Sequence, residues 1–66
     1  MTIDIDLDND AEEIILVVDN HRFLRAAKTD NPNEPRLCKK FKAIEEEDDN
    51  LYKTLRYIVI KLFALE

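Results

Sequence analysis

Sixty-six residues make one domain at most, and a chain of this size buries only about 60% of the surface that its unfolded form exposes. The net charge of −5 disfavours nucleic acid and anionic membrane surfaces as partners, since both recruit Lys and Arg. With no Gly, no Ser and a single Cys in the chain, glycine-rich phosphate loops, serine triads, intrachain disulfides and Cys-pair zinc sites are all excluded.

At the start of the chain, Ile3, Ile5 and Leu7 alternate with Asp4, Asp6 and Asp8, the period of a half-buried strand. Residues 1–9 are read either as a short edge strand with an all-carboxylate outer face or as a disordered lead. Asp10 with Glu13 three residues on has the form of a capping box, so a helix is expected to begin there. Ile14, Val17 or Val18, His21, Leu24 and Ala27 then recur at three- and four-residue steps, an apolar stripe that carries the helix to about Lys28. The β-branched cluster Ile14, Ile15, Val17 and Val18 supports a different reading, a hairpin of 14–18 against 23–28. Against it stands the connecting Asp19-Asn20-His21, which has no turn glycine; the lack of Gly throughout favours helices over hairpins.

Thr29 to Glu34 is a polar connector in which Pro32 holds Asn31 out of the helical region, and Pro35 suits the first turn of a second helix capped by Asn33. From there Leu37, Phe41, Ile44, Asp48, Leu51, Leu55, Ile58, Leu62 and Leu65 keep a four-three spacing, the heptad of a packed seam. Only Asp48 interrupts it. The preserved phase argues for one helix of about 30 residues, whereas Asp48, Asp49 and Asn50 are poor helix formers and argue for a break, with a third helix capped by Asp49 or Asn50. Tyr57, Val59, Ile60 and Phe63 lie off the seam, so the terminal helix is apolar almost all round and is expected to need a second copy to cover it. The fold expected is therefore all-α or mostly α: a single small helical domain over 1–66, with two or three helices after a short acidic extended segment. A homodimer completes the bundle through Leu51, Leu55, Ile58, Leu62 and Leu65.

Charge lies in blocks. Residues 1–20 hold seven acids and no Lys or Arg; residues 22–42 hold seven cations and two acids; Glu45 to Asp49 is an unbroken acidic run. The aspartate ladder Asp4, Asp6, Asp8, Asp10 has the alternation of a calcium loop, but the positions that such a loop gives to glycine and to a bidentate glutamate hold Asn9 and Ile15, or Ala11 and Val17, and no metal or cofactor is expected. His21 is read as a structural histidine, and Cys38 as a core or half-buried thiol whose only conceivable base is His21. An enzyme is not expected. What remains is a small accessory or regulatory protein acting by protein–protein contact, of the inhibitor, antitoxin-like or DNA-mimic type. It would present Asp4, Asp6, Asp8, Glu45, Glu46 and Glu47 to a basic partner surface. The alternative is a DNA- or RNA-binding regulator that uses Arg22, Arg25, Lys28, Lys39 and Lys40. A third arrangement has the opposite blocks pairing between subunits. The apolar runs Ile14 to Val18 and Tyr57 to Ile60 are too short to span a bilayer, which takes about 20 residues. A lone thiol and an opening without the basic-then-apolar order of a signal peptide lead to a cytoplasmic expectation.

Overall fold

The stretch 13–27, where the helical stripe falls, is a β-hairpin in the computed structural model, which describes residues 2–8, 10 and 12–65. Four strands, β1 (Ile3–Asp8), β2 (Glu13–Val18), β3 (Arg22–Ala27) and β4 (Arg36–Leu37), form an antiparallel sheet in the order β1-β2-β3-β4. Two helices follow, α1 (Lys39–Glu47) and α2 (Asp49–Ala64). The all-α reading and its helical bundle are thus overturned: the fold is α+β, a meander of strands with both helices on one face.

The first expected helix fails for a local reason and a distant one. Locally, β-branched side chains lose rotamer freedom in a helix but fit a pleated surface, and their alternation is kept: Ile14, Leu16 and Val18 are buried while Ile15 and Val17 are half-buried. The glycine argument fails because Asp19 (φ 53°) and Asn20 (φ 64°) take the left-handed conformation themselves. Asp and Asn tolerate that region best among residues with a Cβ, so a Gly-free chain still makes a tight turn, closed by the His21 N–H donating to the Val18 carbonyl at 3.3 Å. The distant reason is β1. It pairs along all of β2 in the register Ile3↔Val18 to Asp8↔Glu13, and its start is fastened by Asp19 N–H to Thr2 O (2.8 Å) and Thr2 N–H to Asp19 Oδ1 (3.0 Å). Glu13 accordingly lies in a strand rather than in a capping box.

The connector is ordered by its own polar groups. Thr29 Oγ1 lies 2.8 Å from the carbonyls of both Asn31 and Glu34, the Asn33 N–H donates to Asn31 Oδ1 at 3.0 Å, and Arg56 Nη2 of α2 donates to the Asn33 carbonyl at 2.9 Å. Pro35 leads into β4 and does not open a helix; Leu37 pairs with Ala26 and Arg36 with Ala27. The second helix starts later, at Lys39.

At Asp48 the long helical pattern breaks, the outcome favoured by the Asp-Asp-Asn cluster. Asp48 is extended (φ −155°, ψ 94°) and serves both helices. Its N–H donates to the Ile44 carbonyl at 2.7 Å, ending α1. Its Oδ1 accepts the Leu51 N–H at 3.2 Å, capping α2. The cap is thus Asp48 itself, one residue before the expected Asp49 or Asn50. In the first turn of α2, Asp49 stands 2.9 Å from Lys53 Nζ, and its hydrogen bond and charge hold the Lys53 ammonium above its ordinary pKa. The sign follows: whatever stability this exposed pair adds is present at neutral pH and is lost as pH rises through the folded-state pKa of Lys53, above 10.5.

Between the helices and the sheet lies a core of Ile14, Leu16, Val18, Leu24, Ala26, Leu37, Phe41, Ile44, Leu55, Val59 and Phe63, with no buried polar or charged residue among the described residues. Phe41 packs edge-on against Tyr52 with ring centroids 6.0 Å apart. Up to Ile44 the seam residues are the core residues; beyond the break only Leu55 of the seam is fully buried. The buried row of α2 is Leu55, Val59 and Phe63, flanked by the half-buried Leu51, Tyr52, Ile58 and Leu62, while Leu65 is 82% exposed. A sheet is wider than a partner helix, so it takes the i, i+4, i+8 ridge together with both flanks, and most of the apolar surplus of α2 is covered within the chain, with Tyr57 left 60% exposed. No helix among the described residues is long and apolar enough to cross a membrane.

Candidate functional site

Because both helices lie on one side, the sheet has an inner face, a bare outer face and free edges. On the inner face the helical cover stops at β2. Leu16 and Ile14 are 0% and 2% exposed, yet their cross-strand neighbours Ile5 and Leu7 on β1 are 47% and 53% exposed. β1 therefore carries an uncovered apolar shelf. It is also an edge strand, paired on one side only, with backbone groups along its other side open to another strand.

The register sets out the outer face in three rows. Asp4, Val17 and Phe23 make the first, Asp6, Ile15 and Arg25 the second, and Asp8, Glu13, Ala27 and Arg36 the third. Acids thus occupy one edge and arginines the other, with an apolar middle in which Phe23 is 56% exposed. Neither the Arg22–Glu47 nor the Lys53–Asp49 ion pair engages Asp4, Asp6, Arg25 or Arg36.

Asp4, Asp6 and Asp8 do form one row, on the outer face of β1. Glu45, Glu46 and Glu47 are exposed on α1, in the layer against the opposite face, so the two acidic groups do not make a single surface. Glu47 Oε2 lies 3.9 Å from Arg22 Nη1, which separates Arg22 from the other cations of the basic block. Arg25, Lys39 and Lys40 are brought together with Phe23 and Cys38 around one shallow hollow, whereas Lys28 follows the far end of β3, where its N–H donates to the Glu12 carbonyl at 3.0 Å. Of the expected self-association seam, Leu55 is fully buried, Leu51, Ile58 and Leu62 are half-buried against the core, and only Leu65 is exposed.

Cys38 and His21 are not brought together. The Cys38 N–H donates to the Arg25 carbonyl at 3.1 Å, while His21 sits at the hairpin turn with Nδ1 2.8 Å from the Asp19 carbonyl. Four residue steps of extended chain, about 13 Å, separate Arg25 from His21. The thiol therefore has no imidazole base. Asn9 and Ala11 of the calcium pattern lie outside the described residues, as do Met1 and Glu66; among the described residues no three His, Cys, Asp or Glu side chains group to hold a metal ion.

A helical reading of 10–28 hides Ile15, Val17 and Phe23 as residues of one sheet face. The signal that finds them is the β-branched apolar run Ile14 to Val18 joined to a left-handed-tolerant Asp-Asn pair. Compared with protein families, with curated proteins and with solved structures, the chain has no significant match.

Proposed function

We propose that this is a small regulatory binding protein that captures an extended, basic segment of a partner protein along β1. The observation that carries this reading is the double character of one free edge: a carboxylate row on one face and the uncovered Ile5 and Leu7 on the other. A strand added there gains main-chain hydrogen bonds from the edge, and its side chains alternate between the two faces. Lys or Arg at every second position pairs across strands with Asp4, Asp6 and Asp8. Apolar residues at the positions between extend the shelf. The same aspartates oppose pairing of β1 with β1 of a second copy, because an in-face antiparallel alignment sets carboxylate against carboxylate. The separation of Glu45, Glu46 and Glu47 from this row argues against a DNA mimic.

The probe is a synthetic ten-residue peptide of alternating Lys and Val, titrated at low salt against the isotope-labelled chain. The expected result is saturable binding with amide shifts centred on β1, at least tenfold weaker for Asp4→Lys/Asp6→Lys/Asp8→Lys with the circular dichroism unchanged, and no binding of the Glu/Val counterpart. Shifts centred elsewhere, or equal affinity for the charge-reversed variant, would remove the reading.

Nucleic acid is the second reading, favoured by one observation, the exposed Phe23 ringed by Arg25, Lys39 and Lys40. An aromatic face beside cations can stack a base and hold its phosphate. The carboxylate row on the same sheet face opposes it. Under this reading a fluorescent single-stranded oligonucleotide binds at low salt and Phe23→Ala weakens the complex at least fivefold. Flat titrations eliminate it.

A further inference from the structure

We infer that the bare outer face of the sheet is a docking surface for a second copy of this chain, stacked face to face about a two-fold axis parallel to the strands. This docking surface is independent of strand addition at β1. The lateral order of the outer face is Asp4, Asp6 and Asp8 on β1, Glu13, Ile15 and Val17 on β2, Phe23, Arg25 and Ala27 on β3, and Arg36 on β4. Two sheets in contact can be related by a two-fold axis that runs either along the strands or across them. An axis across the strands lays β1 on β1 and sets carboxylates over carboxylates. An axis along the strands reverses the lateral order and keeps each row level, so β1 lies over β4 and β2 over β3. Phe23 of one copy then meets Val17 of the other, Asp6 lies diagonal to Arg25, and Asp8 lies over Arg36, with Glu13 over Ala27. The face is self-complementary in this one sense, which is the requirement of an isologous interface.

The layout explains what a merely solvated face does not. A face left to water has no need of half-buried Ile15 and Val17 beside an exposed Phe23, and sheets stacked about 10 Å apart let Arg and Asp side chains meet at the rim of an apolar centre. The extent sets the strength. Three strands of six residues and a fourth of two, at about 3.3 Å per residue and about 4.8 Å per strand, give a face about 20 Å long and about 15–20 Å wide. Two such faces bury under about 1,000 Å², below the standard size for specific interfaces, so the dimer is a weak, concentration-dependent one. It occupies the carboxylates that a basic peptide would also use, so peptide and dimer compete.

Sedimentation equilibrium of the full chain across a concentration series, at low and at high salt, tests this. The expected result is a monomer–dimer equilibrium with a Kd on the order of 10–100 μM, weakened at least threefold by salt. Phe23→Asp is monomeric throughout yet still binds the Lys/Val peptide, since its aspartate row is intact; the failure of the dimer and of the strand-addition reading are thereby told apart. Arg25→Asp/Arg36→Asp and Asp4→Arg/Asp6→Arg, all at exposed positions, are each monomeric alone and form a one-to-one heterodimer when mixed. A chain that is monomeric at millimolar concentration, a dimer strengthened by salt, or a dimer indifferent to both Phe23→Asp and Arg25→Asp/Arg36→Asp overturns the inference.

Discussion

Phe41→Ala is expected to remove about a third or more of the chain's stability at 25 °C. Phe41 is 0% exposed and meets Tyr52 edge-on near the first turn of α2, so its ring joins the two helices as well as α1 to the sheet. Truncating a buried Phe to Ala costs about 3–5 kcal/mol, the lost transfer energy plus the cavity left behind. A 66-residue chain at about 0.05–0.15 kcal/mol per residue has only about 3–10 kcal/mol to lose. No disulfide or buried ion pair stands in reserve among the described residues. Urea titration followed by far-ultraviolet circular dichroism reads the outcome, with Phe23→Ala as the matched control. Phe23 is 56% exposed, so its loss is expected to move stability by no more than about 0.5 kcal/mol. A Phe41→Ala variant with the wild-type urea midpoint would show that the sheet–helix core is not what holds the chain.

Leu55→Ala and Leu65→Ala are expected to differ sharply although both sit on the same heptad seam. Leu55 is 0% exposed in the intramolecular core, Leu65 82% exposed at the end of α2. The first change is expected to cost about 2–5 kcal/mol and the second to stay within about 0.5 kcal/mol. Thermal unfolding over a hundredfold range of protein concentration separates this from a dimer seam. A seam between copies makes the melting temperature concentration-dependent and makes both variants lose it together. A core within the chain makes the Leu55→Ala loss the same at every concentration.

The two stretches of the sequence differ in how much of the fold they disclose, and the reason is physical. From Lys39 to Leu55 the elements follow local rules: apolar Phe41 and Ile44 at helical steps are buried where the pattern sets them, and Asp48 ends one helix and caps the next because its short carboxylate competes for backbone N–H groups. From Asp10 to Lys28 two periods fit the same letters. Ile14, Val18, Leu24 and Ala27 satisfy a helical stripe, while Ile14, Leu16, Val18, Leu24 and Ala26 satisfy a strand face. The choice between them lies outside the segment, in the pairing of β2 with β1 on one side and β3 with β4 on the other.

By itself, then, the sequence determined the alternation of β1, the poor helix formers Asp48 to Asn50 that set a break against a continuous helix, the apolar residues that enter the core near them, and the absence of glycine loops and serine triads. Each of these depends on groups within a few residues of one another. Only the tertiary structure decided that 13–27 is a hairpin, that α2 turns Leu55, Val59 and Phe63 inward, and that Asp6 and Arg25 share a face that the helices leave bare. Those outcomes depend on which strands pair and which faces meet. Strand propensity follows from that context more than from the residue, and a one-residue change of register would send every side chain of a strand to the other face.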